Sequence, residues 1–266
     1  MRRRERDTRD MAISEAELGS MTAELDMLHK ETFPSVHKTL DEFSANLADI
    51  SRKPAARRTF LLGMGGAVAL GSIAACSSSK SSTSTGSSTA AGAGAKGATY
   101  TGDLKVVALA AALENLAVTA YQGALTMAGK GQLGTVPPAV ATFVQTAMAQ
   151  HKDHAQAWNG VLQKAGKPAI TGAPLTITQG QVAMLQAAKS VPDVAKLALN
   201  LENAAAATYT FATENVSDAG GIMTAATIQP VETMHAAILS FVLGEYPVPV
   251  SFIGTSNAVQ PSAFTG

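Results

Sequence analysis

Glu114 and Tyr121 stand seven residues apart in Leu113-Glu114-Asn115-Leu116-Ala117-Val118-Thr119-Ala120-Tyr121, and the arrangement returns at Glu202 and Tyr209 in Leu201-Glu202-Asn203-Ala204-Ala205-Ala206-Ala207-Thr208-Tyr209. Seven residues make two turns at about 3.6 per turn, so each Glu shares a helix face with its Tyr. A carboxylate amid Ala, Leu and Val is costly to bury unless a cation or a hydrogen bond compensates it. Its recurrence marks an internal duplication and implies a shared partner. Each copy is followed by a couplet, His151 with His154 and Glu232 with His235. Residues three apart project from one side of a helix, so each couplet offers two ligand atoms toward one point. Two helices carrying a Glu and two carrying a couplet, all aimed inward, build a two-metal site in the core of a four-helix bundle.

The inventory agrees with the spacing. Residues 77–266 contain three His, all in the couplets, and five Glu, of which Glu114, Glu202 and Glu232 occupy the pattern. The residue types suited to hard and borderline divalent metals are thus gathered in one expected cluster. Glu214 and Glu245 fall near helix ends, where solvation is easy. The alternative is a vestigial core in which the six side chains satisfy one another and hold no metal. Tyr121 and Tyr209 are either core aromatics with bonded hydroxyls or partners of the ligands. Trp158 is expected to cover the buried face of its helix, and Met148, Met184, Met223 and Met234 to pack. Asp153 lies off the couplet's face and is expected to be solvated, the alternative being a rotated helix in which it replaces a missing carboxylate.

The elements that must position these residues are helical. The first is expected from Asp103, as N-cap, to about Ala128, before Gly129-Lys130-Gly131. The second starts at Pro137-Pro138 and ends near Ala165. Residues 166–177 form a long crossover, followed by a short helix from Thr178 to Lys189. Ser190-Val191-Pro192 caps a third core helix running to about Val216. Asp218 and Gly220-Gly221 introduce a fourth, reaching Leu243 with Pro230 inside it, where a kink is expected. From residue 246 the chain becomes an extended C-terminal tail. No strand pattern appears, so the fold class is all-α: a four-helix bundle over 101–245 built from a two-helix repeat.

What precedes the bundle differs in composition. Every Arg lies before residue 59, whereas residues 77–266 balance nine Lys with nine Asp plus Glu. That neutral region offers no basic surface for nucleic acid. Residues 1–56 are charged, with Leu18, Met21, Leu25 and Leu28 at helical spacing. They predict a short amphipathic helix interrupted at Pro34, with no part in the chemistry. The segment reads as a cytoplasmic n-region or as an over-long start ahead of Met11, Met21 or Met27. Within 57–76, Arg57-Arg58-Thr59-Phe60-Leu61 precedes a weakly hydrophobic run of about 15 residues, too short for the roughly 20 of a membrane span. The run ends in Ile73-Ala74-Ala75-Cys76, the only Cys of the chain, so an intramolecular disulfide is excluded. Residues 77–100 are Ser, Thr, Gly and Ala, the composition of a flexible tether.

Two resemblances follow. Residues 57–76 resemble a twin-arginine export signal ending in a lipobox. This implies recognition of Arg57 and Arg58 by the twin-arginine export machinery and lipidation of Cys76. The protein would then be anchored through that lipid at the outer face of the cytoplasmic membrane or elsewhere in a bacterial cell envelope. Residues 101–245 resemble the ferritin-like superfamily. That resemblance implies Glu114 and Glu202 as single-helix ligands, Glu232 as a bridge between two metals, and His235 and His154 as caps. Tyr121 and Tyr209 would support the ligands. His151 departs from the pattern, standing where a second bridging Glu is usual. The implied cofactor is a di-iron pair, with manganese, zinc or no metal as alternatives, and the implied chemistry is oxidation of Fe(II) or a small reductant. A non-enzymatic envelope module for stress protection, metal sequestration or partner binding is the competing expectation.

Overall fold

The computed structural model describes residues 13–52 and 99–266. The expected export signal, with Arg57, Arg58 and Cys76, and nearly all of the expected tether lie outside them.

The first helix, α1 (Glu15–Arg52), is 38 residues long and does not stop at Pro34. It begins with a capping box: Glu17 N–H donates to Ser14 Oγ at 3.2 Å, and Ser14 N–H donates back to Glu17 Oε2 at 2.8 Å. Its buried residues are Leu18, Thr22, Leu25, His29, Val36, Leu40, Phe43 and Ser44. They recur at threes, fours and sevens, the seam of a helix lying along other helices. The stripe expected from sequence is displaced, since Leu28 is exposed while Thr22 and His29 are buried.

The bundle consists of α2 (Asp103–Gly129), α3 (Pro138–Lys164), α5 (Val191–Asn215) and α6 (Ala219–Val242), with the short α4 (Thr178–Ala187) after the crossover. Among the described residues there is no strand, only an isolated bridge between Leu175 and Phe264. Ser190 caps α5 by accepting from Asp193 N–H, and Asp218 caps α6 by accepting from Gly220 and Gly221 N–H, both as expected. Asp103 is not the cap of α2. Gly102 holds that position at φ 56°, in the left-handed region open to glycine, and the Asp103 carboxylate accepts from the backbone N–H of Ser217 and Asp218. α2 is long and apolar enough to cross a membrane, yet here it is a core helix covered by α3, α4 and α5.

α2 pairs with α3 and α5 with α6, and α2 also packs on α5. α3 and α6, the couplet helices, touch only lightly, because α1 lies along both. His29 meets His154 and Asp41 meets Lys164, so α1 runs parallel to α3. Asn46 Nδ2 donates to Asp218 Oδ2 at 2.8 Å, joining the end of α1 to the start of α6. Phe43 seats where α6 begins: a Cβ on Gly221 would lie 3.1 Å from its ring, and one on Gly220 would lie 2.8 Å from Thr39 O. The two glycines read from sequence as a helix introduction are therefore also the seat of α1.

The crossover is fixed by Asn115 and Asn159, whose Nδ2 groups donate to Ile170 O at 2.8 and 2.9 Å. The tail folds back on it, with Thr265 N–H donating to Pro174 O at 2.8 Å and Phe264 edge-on to Tyr100. Met184, Met223 and Met234 are exposed, contrary to the packing expected of them.

Candidate metal centre

All six side chains singled out by spacing meet in the core, none more than 2% exposed. Glu114 comes from α2, His151 and His154 from α3, Glu202 from α5, and Glu232 and His235 from α6. They form two groups whose ligand atoms lie within 4.8 Å of one another: Glu114, His151, His154 and Glu232, and His151, Glu202, Glu232 and His235. His151 and Glu232 belong to both. Helix α6 continues through Pro230 and still delivers Glu232 and His235 to the core, fully buried.

The two shared residues differ in what they already hold. His151 is bonded at both nitrogens, Nδ1 to Glu114 Oε2 at 2.7 Å and Nε2 to Glu202 Oε1 at 3.1 Å. Glu232 has no hydrogen bond at either oxygen, and His154 Nδ1 has none either. His154 Nδ1 stands 3.2 Å from Glu232 Oε1 and 3.6 Å from Glu114 Oε1. His235 Nδ1 stands 3.4 Å from Glu202 Oε2 and 3.6 Å from Glu232 Oε2. Two carboxylate oxygens and one imidazole nitrogen thus lack hydrogen bonds within the two groups and meet their neighbours only as ion pairs at 3.2–3.7 Å, so the donors fit a divalent cation.

The outward nitrogens of His235 and His154 are also held. His235 Nε2 bonds Gln150 Oε1 at 2.8 Å, and His154 Nε2 lies 3.2 Å from His29 Nε2. Tyr121 donates to Glu202 and Tyr209 to Glu114, each across the bundle, and Trp158 Nε1 donates to Tyr209 OH at 2.9 Å. Asp153 is half-buried in a groove beside His29 and Gln150, consistent with its expected place off the couplet's face.

Charge follows from this packing. Burial would raise Glu114, but His154 and His151 hold it down to about 2, and His151 and His235 likewise hold Glu202 well below the carboxylate range. Burial would lower His154, but Glu114 and Glu232 bring it up to about 9. His151 rises well above its ordinary value against the same burial, through Glu202 and Glu232. Burial, then the neighbouring His154, lowers His29 to about 4, leaving it neutral. Burial, then Glu202 for Tyr121 and Glu114 for Tyr209, keeps both phenols protonated.

A family model for the ferritin-like domain matches residues 102–245, just over half of the chain. The chain belongs to the ferritin-like family. The match covers the ferritin-like bundle from α2 to α6 and leaves α1 outside. No curated protein and no solved structure matches the chain.

His29 and Gln150 were missed by sequence reasoning. Gln150 immediately precedes the first couplet, and His29 lies seven residues after Thr22 and seven before Val36, on the seam that α1 buries.

Proposed function

We propose that this ferritin-like protein binds a pair of divalent metal ions, iron in the first place, in its bundle core. The observation that carries the reading is the set of orphaned atoms, Glu232 Oε1 and Oε2 and His154 Nδ1, buried among further carboxylates and imidazoles. Glu114 and His154 would hold one ion, Glu202 and His235 the other, with Glu232 between them and His151 as the second shared residue. A bound redox-active pair supplies oxidation of Fe(II) or another small reductant by dioxygen or peroxide. Tyr121 and Tyr209 orient Glu202 and Glu114 and hold protons beside them, and the apolar walls of α2 and α5 limit water. His151 donates from both nitrogens, to Glu114 and to Glu202, so it would have to give up a proton before it could hold an ion.

Anaerobic titration of the full chain with Fe(II), followed by air, tests this reading. Saturation near two ions per chain with an oxygen-dependent change in near-ultraviolet absorbance is expected, and no saturable uptake would refute it.

A second reading is a non-enzymatic envelope module. It is favoured by His151, bonded at both nitrogens, and by the equal number of carboxylates and imidazoles, which lets the core neutralise itself without metal. Under either reading we propose export through Arg57 and Arg58 and lipid anchoring at Cys76 in the cell envelope. Cleavage before Cys76 would also sever α1 from the bundle, so α1 would act on the unprocessed chain. Lipid labelling in cells that should be lost in Cys76→Ala, and release from the membrane fraction, test the anchoring. Labelling that survives the substitution refutes it.

A further inference from the structure

The two capping histidines are supported from different sources. His235 on α6 is held through Nε2 by Gln150, the residue just before the couplet on α3. By the internal repeat, the residue just before the couplet on α6 should support His154 on α3 in the same way. That residue is Val231, which has no side-chain acceptor. The place is taken by His29 of α1, buried at 5% exposure, with its Nε2 3.2 Å from His154 Nε2. His29 is itself fixed by stacking on Phe33, with ring centroids 4.7 Å apart and planes at 18°.

We propose that His29 is a positioning residue of the metal centre, supplied by a helix outside the ferritin-like match. By accepting a hydrogen bond from His154 Nε2–H, it keeps a proton on Nε2 and leaves Nδ1, aimed at Glu114 and Glu232, as the nitrogen that gives up its proton to a metal. Two ring nitrogens facing each other at hydrogen-bond distance need one proton between them, so one ring donates and the other accepts. For His154 the opposite choice would place a proton on Nδ1, the nitrogen aimed at the carboxylates, and a protonated nitrogen cannot ligate a metal. Acceptors of this kind set the tautomer of a ligating imidazole, and their loss typically costs about 10- to 100-fold in metal affinity. The proposal rests on the metal-binding reading of the centre. It makes α1 part of that centre in the unprocessed chain, where the metal would be loaded.

The test uses the full chain as wild type, His29→Leu and His29→Gln, with cobalt(II) as the probe. Leu keeps apolar contact with Phe33 but cannot accept, whereas Gln offers an acceptor. His29→Leu should weaken cobalt binding by about 10- to 100-fold and alter the visible spectrum of the bound ion, and His29→Gln should recover most of both. Equal affinity and an unchanged spectrum in His29→Leu would overturn the proposal. A metal-independent readout accompanies it: the proton on His154 Nε2, followed by nuclear magnetic resonance in the metal-free chain. It should appear downfield and protected from exchange in wild type, and should move upfield in His29→Leu. If wild type takes up no cobalt, the metal reading fails by itself. The resonance then decides His29, whose support of His154 is overturned if the proton is unmoved by the Leu variant.

Discussion

Tyr121 on α2 donates its hydroxyl proton to Glu202 on α5, not to Glu114 two turns back on its own helix. Tyr209 returns the bond from α5 to Glu114. Two turns separate Glu and Tyr by about 10.5 Å along a helix. A neighbouring helix of opposite direction brings the partner's Glu to the height of each Tyr. The reciprocal pair therefore fixes the relative height of α2 and α5, and with it the heights of the Glu114 and Glu202 carboxylates.

Tyr121→Phe should consequently destabilise the metal-free chain by about 1–3 kcal/mol, the range for a lost bond to a buried charged group. Urea unfolding measures it. Tyr246→Phe, at an exposed tyrosine, serves as control and should change nothing. A Tyr121→Phe chain as stable as the control would mean that the bond adds nothing to the fold.

Stability and metal affinity should respond to pH in opposite senses. His154 is raised to about 9 from an ordinary 6.5, so its contribution to stability is complete below pH 6.5 and is lost as pH rises through 9. Glu114 is lowered to about 2 from an ordinary 4.5, so its contribution is complete above pH 4.5 and is lost as pH falls through 2. His29, lowered to about 4 from an ordinary 6.5, acts in the other sense within the window these two leave: its contribution is complete above pH 6.5 and is lost as pH falls through 4, so the metal-free chain should be most stable near pH 6.5. A metal must displace the proton of His154, so binding should release protons and tighten between pH 6.5 and 9. Thermal midpoints with chelator present and proton release in unbuffered titration check both. A metal-free midpoint that does not fall between pH 6.5 and 9 would contradict the charge assignment.

The seat of α1 can be tested through glycines. Gly220→Ala would set a Cβ 2.8 Å from Thr39 O and 3.1 Å from Phe43 Cβ, and should cost about 1–3 kcal/mol. Gly160→Ala, on α3 with nothing within 4 Å of the added carbon, should instead stabilise by about 0.5–1 kcal/mol. Chemical denaturation of the full chain compares them. Equal effects would mean that α1 does not press on α6 in solution.

The six clustered residues were legible in the sequence because two independent constraints converge on them: helical spacing, and the scarcity of His and Glu elsewhere in residues 77–266. The helix ends were legible where a cap names itself, as at Ser190 and Asp218. The Tyr partners were not, because spacing assigns a residue to a face of its own helix but says nothing of which neighbour that face meets. His29 was hidden for a different reason. The apolar stripe through Met21 and Leu28 suggests one buried face, while the buried face includes Thr22 and His29, polar residues that hydrogen bonds make acceptable inside. Pro34 misled similarly, since α1 continues through it.

The central claim, that this core is a metal centre, is tested most directly by the metal content of the full chain. It would be produced without added metal and measured by elemental mass spectrometry, beside the double variant Glu114→Ala with Glu202→Ala. About two iron or manganese ions per wild-type chain are expected, falling to a tenth or less in the double variant while its circular dichroism stays helical. A metal-free wild type that also fails to take up added iron, manganese or zinc, or a double variant that retains its metal, would contradict the account.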